Sequence, residues 1–272
     1  MNMRNVSRVV GFAVSLLLLG SVANAQSIVG SKHDLGAATG NTTEVCVFCH
    51  TPHGSDTSAA VPLWNKVLPS TTYQRYSTLN TSTLDGAEAP VGSVSLACLS
   101  CHDGTSAIDT VLNMPGSGMN GGQIDAAVFL TDMNAYLGGS ATPVPVLGSD
   151  LRNDHPVSIQ YAGGGMAGGD ADGLQPSSGF VDSGFNDVMK DTINGNPAWW
   201  VDSITANATR DKTDMLLYTR IDGPVGAAGE PMVECASCHD PHNADTGIAA
   251  ESVSFLRIEN TSSQICTTCH DK

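Results

Sequence analysis

Aromatic residues make up only 5% of this 272-residue chain, and basic residues number 12 against 27 acidic ones. No cysteine stands outside a CxxCH motif. Each shortage excludes something. With few aromatics, 29 Gly and 13 Pro, the chain is poorly supplied for a conventional side-chain core, so burial must come largely from elsewhere. A formal charge of −15 repels nucleic acid and anionic membranes and favours basic partners or cations. The apolar stretch Val9 to Gly20 is shorter than the roughly 20 residues a membrane-spanning helix needs. Preceded by Arg4 and Arg8 and followed by Ala23-Asn24-Ala25, it reads as a cleaved secretory signal over residues 1–25. The expected product is exported to the cell surface or beyond, or otherwise to the periplasm, without a membrane anchor. Losing the two arginines takes the charge from −15 to −17.

All eight cysteines lie in four repeats: Cys46-Val-Phe-Cys49-His50, Cys98-Leu-Ser-Cys101-His102, Cys235-Ala-Ser-Cys238-His239 and Cys266-Thr-Thr-Cys269-His270. CxxCH is the attachment signature of c-type haem, in which two thiols hold the porphyrin and the adjacent imidazole reaches the iron. A thioredoxin-like CxxC needs no following His and occurs once. Paired zinc ribbons need motifs about 15–20 residues apart, and the intervals here are too long or uneven. A disulfide across two residues is a poor staple, because closure stabilises more when the loop is long. Four covalently attached haem c groups are expected.

Four haems with one proximal His each need four further axial ligands. The chain has eight His; outside the motifs stand His33, His53, His155 and His242, and supply equals demand. Methionine is the rival ligand, with Met114, Met166 and Met232 available. His50 and His53, like His239 and His242, are three apart in CxxCHxPH. On one helical turn such side chains leave the same face, so they cannot sit on opposite sides of one iron. His53 is therefore assigned to the haem of His102, and His242 to that of His270. His33 and His155 remain for the haems of His50 and His239. They close the two units within one chain, or His155 serves His50 while His33 reaches His239 in a neighbour. A head-to-tail contact of that kind makes an open filament.

The order CxxCHxPH then CxxCH occurs twice, an internal repeat of a two-haem unit. It divides the chain into a signal (1–25), a first unit (26–110), a Gly-rich connecting region supplying His155 (111–230) and a second unit (231–272). The fold class expected is mostly irregular coil with short helices and few short strands, a multihaem cytochrome c fold wrapped around a haem chain. Short helices should carry the motifs, notably Val94 to His102. Ile124 to Leu137 and Phe185 to Ile193 read as helices. Val157 to Tyr161, Met215 to Ile221 and Val253 to Ile258 read as strands. Residues 113–123 and Gly163 to Gly184 read as loops; Gly169 to Gly173 resembles a calcium loop only faintly, and a plain turn is the better reading. Trp64 should pack on a porphyrin, and Trp199 and Trp200 in the interior.

Cys46-Val-Phe-Cys-His-Thr-Pro-His-Gly, Pro62-Leu-Trp-Asn, Cys98-Leu-Ser-Cys-His-Asp-Gly, Asn153-Asp-His-Pro and Cys235-Ala-Ser-Cys-His-Asp-Pro-His-Asn resemble the doubled-CxxCH cytochromes. More narrowly, they resemble the OmcE-type tetrahaem cytochromes of metal-reducing bacteria, with residues 163 to 230 poorly matched. The resemblance implies head-to-tail polymerisation into an extracellular filament, with His33 ligating a haem of the next subunit. It also implies electron transfer to redox partner cytochromes and extracellular acceptors. A monomeric periplasmic tetrahaem shuttle is the alternative. A multihaem reductase needs an iron with a vacant position, which eight ligating His would not leave.

Overall fold

The computed structural model describes residues 28–36, 42–108, 110–114, 145–166, 172–203, 207–220, 229–243 and 255–271. The signal, the 124–137 helix, most of the 113–123 loop and most of the calcium-like loop lie outside them.

Helices are few and short. A 3-10 turn over Val45–Phe48 carries the first motif, α1 (Ser93–His102) the second, α2 (Cys235–Cys238) the third and α3 (Gln264–Thr267) the fourth. Between the first and second pairs of motifs lies a six-stranded antiparallel sheet, five strands from the connecting region and the sixth from the start of the second unit. Its strands are β1 (Ile159–Gln160), β2 (Gly173–Gln175), β3 (Val188–Ile193), β4 (Asn196–Val201), β5 (Met215–Thr219) and β6 (Pro231–Val233), in the order β1-β6-β5-β4-β3-β2.

The Val94–His102 helix and the Val157–Tyr161 and Met215–Ile221 strands are present, the strands with shorter bounds. Phe185–Ile193 is not helical. Asn194 and Gly195, with φ of 52° and 79°, turn the chain between Ile193 and Asn196, and β3 zips onto β4 in five register pairs. Two positive-φ residues are what a tight two-residue hairpin turn needs, and Asn-Gly is its strongest sequence signal. The 163–184 segment is likewise more than loop, since β2 lies inside it and pairs with β3.

This sheet gives the polypeptide a core of its own. Tyr161, Val188, Trp199, Val201, Met215 and Ile258 are at most 3% exposed and belong to one apolar cluster. Cys238 and Cys269 pack against it. Trp199 and Trp200 are interior, as expected. β6 runs directly into Glu234 and α2, so the sheet sets where the third motif stands.

Candidate haem-attachment site

Three of the four motifs are closed by the same clasp. Asn65 N–H donates to the Cys49 carbonyl (2.9 Å) and Thr51 N–H to that of Leu63 (2.8 Å). In the third motif Arg257 N–H donates to Cys238 (2.9 Å) and Asp240 N–H to Phe255 (2.8 Å). In the fourth Asn186 N–H donates to Cys269 (2.8 Å) and Asp271 N–H to Gly184 (3.0 Å). The returning segment thus sets Trp64, Leu256 or Phe185 opposite the motif's own His. Leu63 and Phe255 both take positive φ, 58° and 64°, which marks the same bend at equivalent places. A strand is expected over Val253–Ile258; its described part, from Phe255, forms this clasp rather than a sheet strand.

Thiols of successive motifs are near enough to feel one another. Cys49 feels the charge of Cys101, and Cys98 is hydrogen-bonded to Cys235. Cys238 feels Cys266, and Cys269 feels Cys238. Burial pushes the Cys49 and Cys269 thiols up to about 12 and that of Cys238 to about 11. Cys235 is lowered by the hydrogen bond from Cys98.

A buried polar knot joins the two units where Cys98 meets Cys235. The Glu234 carboxylate accepts from Ser95 Oγ on α1, from Ser158 Oγ (3.1 Å) and from Arg220 (3.4 Å). Ser95 Oγ in turn accepts the Cys235 N–H (2.9 Å). The Arg220 and Glu234 side chains are 2% and 0% exposed. Burial raises the Glu234 pKa, against the hydrogen bond from Ser95 and the Arg220 charge.

The histidines meet in pairs. Ring centroids are 6.2 Å apart for His33 and His102, 6.1 Å for His50 and His242, and 6.4 Å for His155 and His270. With metal–imidazole bonds of about 2.0–2.1 Å and about 1.1 Å from nitrogen to centroid, two imidazoles on opposite sides of one metal stand about 6.3 Å apart.

Hydrogen bonds on the other ring nitrogen fit the same role. Nδ1 of His50 lies 2.8 Å from the Pro62 carbonyl, that of His102 3.0 Å from Pro145, and that of His155 2.9 Å from Pro156. His33 bonds the backbone of Pro241, which has only a carbonyl to offer. A carbonyl only accepts, so Nδ1 carries the proton in the three Nδ1-bonded rings and Nε2 keeps a lone pair for a metal. Burial is also the main cause that lowers His33 to about 4 and depresses His102, keeping both neutral. Among the described residues no group of three or more His, Cys, Asp or Glu is placed to hold a bare ion. A haem iron takes four donors from its macrocycle and needs only two from protein. Trp64 Nε1–H, buried without a partner, needs an acceptor such as a propionate. The residues therefore fit the group.

The pairing differs from the sequence-based assignment. His242 does serve a site other than its own motif's, but it faces His50 rather than His270. His102 is faced by His33, not His53. His53 is exposed, and its carbonyl accepts from Thr51 Oγ1 (3.0 Å) and Asn113 Nδ2 (3.0 Å). The segment after His50 is not helical, so the shared helical turn assumed for His50 and His53 does not form.

A family model described as "Doubled CXXCH motif" matches residues 226–272. No curated protein matches the chain. With the motifs, this match supports a multihaem c-type cytochrome carrying covalently bound haem c, and it fits an electron carrier rather than an enzyme. The clasp and the CxxCHxPH-then-CxxCH order extend the same arrangement to the first unit.

Proposed function

We propose that the chain is an exported tetrahaem cytochrome that passes electrons along a row of four bis-His haems and polymerises head-to-tail into an extracellular filament. The observation that carries the bis-His reading is the set of three imidazole pairs at 6.1–6.4 Å. In this reading Cys46 and Cys49 hold the haem ligated by His50 and His242. Cys98 and Cys101 hold that of His102 and His33. Cys266 and Cys269 hold that of His270 and His155. By count, His53 falls to the iron of His239, whose haem is held by Cys235 and Cys238. The haem supplies the one-electron couple. The chain's residues would bind it, and His50, His102 and His155 keep their proton on Nδ1, which leaves Nε2 for the iron.

The filament reading rests on the resemblance to the OmcE-type cytochromes. The His33 arm can make with a neighbour's His102 the contact it makes within its own chain, an exchange of an identical element between copies. A monomeric periplasmic shuttle is the second reading, favoured by the His33–His102 pair lying within one chain. Electron microscopy of the secreted, haem-loaded protein separates the two. Long ordered fibres, abolished by His33→Ala with haem content retained, support the filament. Discrete particles support the shuttle.

A further inference from the structure

Lys66 is 2% exposed, a rare place for an ammonium. Its Nζ donates to three carbonyls, Ala107 (3.0 Å), Ile108 (3.2 Å) and Thr110 (2.8 Å). Three donated bonds use all three N–H groups of the protonated amine. No carboxylate neutralises it among the described residues. Its neighbour Asn65 clasps Cys49, and its acceptors lie on the loop that leaves the second motif. The charge therefore stands between the attachment points of the first two haems.

The repeated clasp shows what this position needs structurally. Aligning Asn65 with Arg257 and Asn186 aligns Lys66 with Ile258 and Asp187. Ile258 is 3% exposed and lies in the apolar cluster of the sheet, whereas Asp187 is exposed. An apolar side chain thus fills the equivalent buried place in the second unit. The buried cation of that unit, Arg257, lies 3.8 Å from Asp240. Among the described residues, the first unit's clasp buries a cation with no carboxylate beside it, and the second unit's clasp does not.

We propose that Lys66 tunes electron transfer by raising the reduction potential of the haems held at Cys46/Cys49 and Cys98/Cys101 above what the same scaffold gives without the charge. Reduction of ferric to ferrous iron adds one electron and no proton, so a fixed cation in a low-dielectric interior favours the reduced state. This proposal rests on the haem reading above, and Lys66 acts on the haems as a positioned charge, not as a ligand.

The test is a spectroelectrochemical titration of the full haem-loaded protein beside Lys66→Met and Lys66→Arg, with haem counted per chain. Lys66→Met is expected to move one or two of the four waves to lower potential while the others stay. Lys66→Arg, which keeps the charge, is expected to hold the wild-type curve. An unchanged curve in K66M with four haems retained overturns the proposal, as does an equal shift in K66R. If K66M does not load four haems, Lys66→Gln, which keeps two N–H donors, is titrated instead and the same criterion applies. A wild-type chain with fewer than four haems would instead sink the haem reading.

Discussion

The imidazoles of His50 and His242 lie nearly parallel, with centroids 6.1 Å apart and planes 17° apart. They belong to different two-haem units. His50 is held by the Pro62 carbonyl inside the first clasp, and Nδ1 of His242 stands 3.7 Å from Asp240, the residue after the third motif. Replacing His242 by Ala should therefore disturb the haem of Cys46 and Cys49, not that of Cys266 and Cys269. Low-spin ferric signal equal to one of four haems is expected to turn high-spin. Paramagnetic NMR of the intact ferric holoprotein, with each haem's signals assigned to its motif, locates it; a change confined to the second-unit haems would contradict the pairing.

His155→Ala should act at the other end of the row. Its ring lies 6.4 Å from that of His270, which also packs on Phe185 at 4.4 Å. The expected outcome is one high-spin haem at the Cys266–Cys269 site of the intact holoprotein, with attachment unchanged because both thiols remain. Exogenous imidazole should restore the low-spin spectrum.

The Arg220–Glu234 pair should be costly to break and cheap to replace as a whole. Removing one partner leaves a buried charge uncompensated, a loss of about 3–5 kcal/mol. Arg220→Met is therefore expected to lower the denaturation midpoint clearly in guanidinium melts of the holoprotein. The double variant Arg220→Met, Glu234→Gln should recover a large part of that loss. Equal melting of the single variant and wild type would refute the role of the knot.

Asn65 should be the weak point of the first clasp. Its Nδ2 donates to Val47 (2.7 Å) and Asn113 (2.9 Å) carbonyls, and its Oδ1 accepts from Asn113 N–H (2.9 Å). The residue is fully buried, so Asn65→Ala strands these groups at about 1–3 kcal/mol each at most. Faster cleavage by protease between the first two motifs is the expected readout.

The attachment chemistry was legible because CxxCH is local: both thiols and the proximal His sit within five residues. The motif-bearing helix Ser93–His102 and the strand at Met215 were legible for the same reason. Which distal His meets which motif was not. The His50–His242 contact is set by the sheet that brings the third motif back against the first unit, and no spacing rule encodes that. The sheet was itself under-read. Asn194-Gly195 is a hairpin signal, and it contradicts the helix expected over Phe185–Ile193. The buried Lys66 had no local signal, because its three acceptors lie more than forty residues away in sequence.

Quantitative electron paramagnetic resonance of the ferric, secreted protein, with spins counted per chain, tests the central claim most directly. Four low-spin haems per chain and no high-spin component are predicted. A high-spin fraction in the intact wild-type protein, or fewer than four haem spins, would contradict it.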